Sequence, residues 1–144
     1  MRLGFVGVGA MSAAMVEALA TGPVADTVSI VLSPRTVQRS SELAERFEQV
    51  TVAESNQAVL DGSDMVFLGM LPRQVDDVCR ELVFRPDHLV ASVVAGLPPS
   101  QVAPYVAPAT RICQMIPLPV IALHTGPIVI CPAMPEVMSV FQGC

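Results

Sequence analysis

Short apolar runs alternate with amphipathic stretches along the whole chain. Arg2 to Gly22 holds the first pair, an apolar strand, a glycine turn and a helix whose apolar positions recur at Met11, Ala14, Met15, Ala18 and Leu19. That spacing is helical. Thr27 to Leu32 is β-branched and predicts a second strand. A helix is expected from Thr36 to Gln49, with Leu43, Ala44 and Phe47 inward, then a strand at Val50 to Val52 and a brief helix from Ser55 to Leu60. Met65 to Leu71 is continuously apolar, as a strand buried on both faces reads. Pro72 opens a helix with Val75, Val78, Cys79 and Leu82 inward. Further strands are predicted at Leu89 to Ala95, Arg111 to Ile116 and Ile128 to Cys131. Pro98 to Ala103 reads as a short helix or turn. A last helix starts at Pro135, with Met134, Val137, Met138 and Phe141 free to pack.

Strands alternating with helices predict an α/β fold of the doubly wound, Rossmann-like kind, a mainly parallel sheet with helices on both faces. The whole of 1–144 reads as one dinucleotide-binding domain. In such a sheet the ligand sits outside the carboxyl ends of the strands.

The first strand end carries the strongest chemical signal. Gly7 and Gly9 are the first two glycines of a Gly-x-Gly-x-x-Gly turn, and Ser12 fills the third slot. A strand that turns straight into a helix needs a residue without Cβ at the bend. The second glycine lets backbone approach a pyrophosphate, which the helix N-terminus then holds. A tight turn with no ligand is the plainer alternative.

The second strand ends in Ser33-Pro34-Arg35-Thr36. A fold that uses NAD usually places a carboxylate here for the ribose 2′-hydroxyl. A hydroxyl and a guanidinium would instead bind a 2′-phosphate by charge-assisted hydrogen bonds, so NADP is expected over NAD. Alternatively, Ser33 caps the next helix and Arg35 is merely solvated.

Composition narrows the remaining classes. The net charge of −5, with no basic cluster, disfavours nucleic acid. No apolar run reaches the roughly 18 residues of a membrane span, and the N-terminus does not read as a cleaved leader. A cytoplasmic location follows as an expectation. All eight basic residues are Arg, which excludes a Schiff-base or phosphate-loop lysine within the chain. Cys79, Cys113, Cys131 and Cys144 lack metal-ligand spacing and are expected to be reduced, small apolar core residues. No metal site is expected. His88 and His124 read as surface or strand-end residues.

Six segments in order resemble one family. They are Gly4 to Met11, Ser33 to Thr36, Ser55-Asn56, Val66 to Pro72, Ser92 to Gly96 and Ile116 to Val120. Together they are similar to the N-terminal NADP-binding domain of pyrroline-5-carboxylate reductase, an oxidoreductase of proline synthesis. The resemblance implies that Val6, Gly7, Val8, Gly9, Ala10 and Met11 hold the pyrophosphate. It implies that Ser33, Arg35 and Thr36 meet the 2′-phosphate end and that Asn56 approaches the adenosine. Gly69, Met70 and Leu71 would line the nicotinamide riboside, with Val94, Ala95 and Gly96 under the nicotinamide. The family usually has Lys where this chain has Leu71, Arg where it has Gln114 and Asn where it has Leu118. Its members continue as a helical domain that forms the dimer and supplies the substrate carboxylate site, so this chain corresponds to half of a composite active site. The implied reaction is hydride transfer from NADPH to a cyclic imine, with no catalytic residue assignable here. A related oxidoreductase acting on another imine, a hydroxyacid or a deazaflavin stays open, as does a non-catalytic dinucleotide-binding module. Without the helical domain, apolar surface on the last strands or helix is expected to favour self-association.

Overall fold

A computed structural model describes all 144 residues. Seven strands form one sheet: β1 (Arg2–Val6), β2 (Ser29–Leu32), β3 (Val50–Val52), β4 (Met65–Leu68), β5 (Leu89–Ser92), β6 (Arg111–Ile116) and β7 (Val129–Cys131). Their order is β3-β2-β1-β4-β5-β6-β7. The first six are parallel and β7 runs antiparallel at the edge. The chain builds outward from β1 to β3, then returns past β1 to β4. That reversal makes a switch point between β1 and β4, where ligands bind in such sheets.

Helices cover both faces: α1 (Ala10–Thr21), α2 (Val37–Arg46), α3 (Asn56–Asp61), α4 (Val75–Cys79), α5 (Pro99–Val106) and α6 (Pro135–Val140). Alternation along the strands divides the core in two. Leu3, Phe5 and Phe67 face α1, α2 and α6. Val6, Val66, Leu68 and Val90 face α3, α4 and α5. Phe5 stacks on Phe67 across the β1–β4 pair, with centroids 4.6 Å apart, and Phe141 meets Phe67 edge-on. Aromatic pairs of this kind add about 1 kcal/mol to their burial.

Several boundaries differ from the sequence reading. Thr27 belongs to a 3₁₀ turn, where its N–H and its hydroxyl both donate to the Val24 carbonyl. β4 and β5 stop at Leu68 and Ser92, because the chain there bends over the sheet end. A 3₁₀ turn over Pro72–Gln74 precedes a short α4, so Leu82 lies beyond that helix. On α1 the buried residues are Ser12, Met15, Val16, Ala18, Leu19 and Ala20, while Met11 and Ala14 are half-buried. At the C-terminus Val140 takes the inward place expected for Met138, which is exposed.

Three side chains land in environments opposite to those expected. His88 is fully buried. Its Nδ1 accepts from the Arg85 N–H at 3.0 Å, so Nε2 carries the proton and donates to the Leu60 carbonyl at 3.0 Å. Burial, then the neighbouring Arg85, holds its pKa below the ordinary histidine value. Cys131 is exposed, because it lies on the short edge strand rather than in the core. Cys79 and Cys113 are core residues, and burial pushes both thiols up to about 11. Ser33, expected at the ligand surface, is fully buried. No helix is long and apolar enough to cross a membrane.

Candidate functional site

A cleft of about 340 Å³ opens at the carboxyl ends of β1 and β4. Its floor is the Gly7 to Gly9 turn. Gly7 has φ +89°, the left-handed region that favours glycine, and a Cβ there would overlap the Gly69 carbonyl. A Cβ on Gly69 would in turn overlap the Ser12 hydroxyl. The turns after β1 and β4 therefore touch through backbone, and two glycines permit it. Gly9 differs. Its φ of −77° suits any residue, and a Cβ would meet nothing within 4 Å. The space beside Gly9 belongs to the cleft.

The turn leads directly into α1, whose first turn has no capping side chain and no carboxylate. Its leading N–H groups thus lack the partners that helix starts usually recruit. Uncapped N–H groups and the positive end of the helix dipole favour an anion.

The charges around the cleft point the same way. Five arginines, Arg2, Arg46, Arg80, Arg85 and Arg111, pair with carboxylates. Arg35, Arg39 and Arg73 do not, and the first two flank the turn. Arg35 is exposed and lines the cleft. Arg39, in the first turn of α2, donates from Nη1 to the Val8 carbonyl at 3.2 Å. In a chain of net charge −5, two of the three arginines without carboxylate partners gather at this one turn, which favours a negative ligand there.

A second lobe of about 340 Å³ adjoins the first across Arg35 and Asn56. It is lined by Pro34, Ser55 and Gln57 on one side and by Asp77, Glu81 and Leu82 on the other.

The structure brings together most of the expected site residues. Val6, Gly7, Val8, Gly9, Ala10 and Met11 line the cleft, as do Arg35, Thr36 and Asn56, and Gly69, Met70 and Leu71. Ser33 does not. Its hydroxyl donates to Asn56 Oδ1 at 2.6 Å and accepts from the Arg35 N–H at 3.4 Å. Burial beneath the loop, not exposure on it, sets its role. Val94 does not line the cleft either, because strand alternation turns it into the α3–α5 side of the core. Val93, on the opposite parity, lines the cleft in its place. Ala95 and Gly96 are exposed beyond it.

Four lining residues were not anticipated: Ser12, Gln74, Val78 and Val93. Ser12 stood in the third glycine slot and could have been read from that position. Arg39 lies in the first turn of α2, just after the Ser33 to Thr36 loop, a position that keeps it close to Arg35. Gln74 had no local signal. Its Oε1 accepts from the Leu71 N–H at 3.0 Å and ties down the turn after β4. At this end of the cleft Met70, Leu71, Gln74, Val78 and Val93 offer no titratable group. Ile116, Leu118 and Val120, at the end of β6, are exposed apolar residues.

Comparison with known proteins places this geometry. Residues 2–96 match the family described as NADP oxidoreductase, coenzyme F420-dependent, and the chain belongs to it. It is 30% identical over 99 residues to a pyrroline-5-carboxylate reductase of Pseudomonas aeruginosa, covering 67% of this chain and 36% of that protein. It is 24% identical over 119 residues to ComE operon protein 4 of Bacillus subtilis, covering 81% of this chain and 43% of the relative. The chain thus spans less than half the length of these relatives. Among solved structures, 1-pyrroline-5-carboxylate reductase from Streptococcus pyogenes superposes with a TM-score of 0.82 at 23% identity, over 99% of this chain and 55% of that one. That likeness concerns the fold.

Proposed function

We propose that this member of the NADP oxidoreductase family binds NADPH in the cleft and forms the coenzyme half of a pyrroline-5-carboxylate-reductase-like enzyme. The observation that carries the reading is the uncapped start of α1 facing two arginines without carboxylate partners. The fit of the coenzyme rests on three features of this chain. Gly9 leaves room for a pyrophosphate against the backbone. The α1 N–H groups supply its donors. Arg35 stands at the β2 end, where the Ser33 to Thr36 loop carries no carboxylate to repel a 2′-phosphate, although Asp77 and Glu81 line the far side of the lobe.

When bound, the coenzyme supplies the hydride. The residues of this chain bind and orient it. Gly69 and Met70 form the wall at the reacting end, and Gln74 holds the Leu71 backbone in place. No side chain here donates or takes a proton. A protonated cyclic imine needs little help of that kind, which suits an imine as substrate. The reading includes 1–144 as the dinucleotide-binding domain, with substrate recognition and dimer contacts supplied by the helical domain of such reductases.

Fluorescence titration of the 144-residue chain tests the coenzyme assignment. NADPH should bind at least about tenfold tighter than NADH, the discrimination that one charge-assisted contact provides. Equal affinities would remove the 2′-phosphate assignment, and no binding of either would remove the coenzyme. The family's description favours a second reading, in which a deazaflavin exchanges hydride with the nicotinamide. Reduction of a deazaflavin by NADPH in an assay where cyclic imines stay inert would support it.

A further inference from the structure

We propose that Ser33 is a positioning residue for coenzyme choice, acting through Asn56. The inference rests on the reading that the cleft takes NADPH. Ser33 lies at the carboxyl end of β2 and is fully buried, so its hydroxyl does not reach a ligand. It reaches Asn56 instead, the first residue of α3, with 2.6 Å between Ser33 Oγ and Asn56 Oδ1.

The proton count fixes the direction of that bond. A serine hydroxyl has one hydrogen to give and two lone pairs to receive. The Arg35 N–H already points at Ser33 Oγ, 3.4 Å away. The acceptor in reach of the single hydroxyl proton is the side-chain carbonyl of Asn56. Ser33 therefore donates to Asn56 Oδ1, and the amide cannot turn over without leaving that proton unused in a buried place. The turned-away end of the amide is Nδ2. It donates to no group of the chain, and Asn56 forms part of the wall shared by both lobes, beside Arg35.

The consequence separates two coenzymes. A phosphate dianion only accepts hydrogen bonds, so it is helped by Nδ2 and opposed by Oδ1. A ribose 2′-hydroxyl both donates and accepts, so it tolerates either orientation. Ser33 thus selects for the phosphorylated ribose without touching it. A carboxylate at position 33 could not donate, and it would draw Nδ2 toward itself and turn Oδ1 outward.

Paired titrations with NADPH and NADH on the 144-residue chain test this. Ser33→Ala should weaken NADPH binding about tenfold, the scale of a hydrogen bond to a charged group. NADH affinity should stay within about twofold, so the coenzyme ratio falls. In an Asn56→Ala background the same substitution should change neither affinity further, as expected of a residue that acts through another. Asn56→Asp keeps the acceptor for Ser33 and replaces the donor with a negative oxygen. It should cost NADPH more than Ser33→Ala does and leave NADH within about threefold, and it serves as the deciding variant if Ser33→Ala does not fold. Equal loss of both coenzymes in the variants, or an unchanged ratio, overturns the role of Ser33. A wild-type chain with no preference for NADPH overturns the coenzyme reading and this inference with it.

Discussion

At the two ends of its one sheet this molecule treats charge in opposite ways. At the amino ends of the strands, charges are paired. Arg2 bonds Asp64 at 2.7 Å across β1 and β4, and Arg111 pairs with Glu136. Arg85 donates to the carbonyls of Leu60, Asp61 and Ser63 and to Asp87, and buried His88 uses both ring nitrogens. At the carboxyl ends, Arg35 and Arg39 lack carboxylates, α1 has no cap, and Asn56 keeps a free donor. A polar group paired inside the fold contributes to stability, and one held ready at the surface of a cleft is available to a ligand. The difference separates the end that holds the sheet together from the end that binds.

The largest effect should come from the one element that serves both purposes. Gly7→Ala forces a Cβ against the Gly69 carbonyl at positive φ and should destabilise the fold by roughly 3 kcal/mol or more. Urea unfolding measures it. Gly9→Ala, two residues on, should leave the unfolding midpoint unchanged and weaken NADPH binding about tenfold or more, because the added methyl occupies ligand space. Equal stability losses in the two variants would break the distinction.

Next come the arginines at opposite ends. Arg85→Ala should cost about 2 kcal/mol of stability, since carbonyls it serves lose a charged donor, and leave NADPH affinity within twofold. Arg35→Ala should do the reverse. Stability stays within about 0.5 kcal/mol, as for exposed sites, and NADPH affinity falls about tenfold with NADH little changed.

The smallest effect concerns pH and belongs to the amino end alone. Folded His88 is neutral, and burial keeps its pKa below the 6.5 at which an ordinary histidine titrates. The unfolded chain therefore takes up the proton first. Stability from this group is full above about pH 6.5 and is lost as pH falls through the window below it. Asp64, Asp87 and Glu136 have pKa values lowered by hydrogen bonds to Arg2, Arg85 and Arg111. Their contributions are lost only below the ordinary carboxylate range. His88→Asn should remove the upper step and leave the lower one, as read by urea midpoints from about pH 8 down to about pH 2.

Much of this was legible in the chain. The β1 strand, the glycine turn and the continuous apolar run of β4 are local signals, set by φ preferences and by burial on both faces of a parallel strand. They sufficed for the fold class, for the position of the cleft and for most of its lining. Other features were not legible, because their partners lie far away in sequence. Ser33 looked like a ligand contact until Asn56, 23 residues on, proved to receive its proton. His88 looked like a strand-end residue until the Leu60 carbonyl, 28 residues away, offered its ring a buried partner. Val94 and Val93 differ only in strand parity, and the alternation decides which of them meets the cleft.

The sequence by itself determined the alternation of elements, the place of the glycines and the lack of any lysine, because each is a property of a residue and its near neighbours. Only the tertiary structure decided which arginines went unpaired, which hydroxyl was buried and which end of an amide faced the cleft. Those outcomes depend on groups brought together from distant segments, and a hydrogen bond has direction only once both partners are in place.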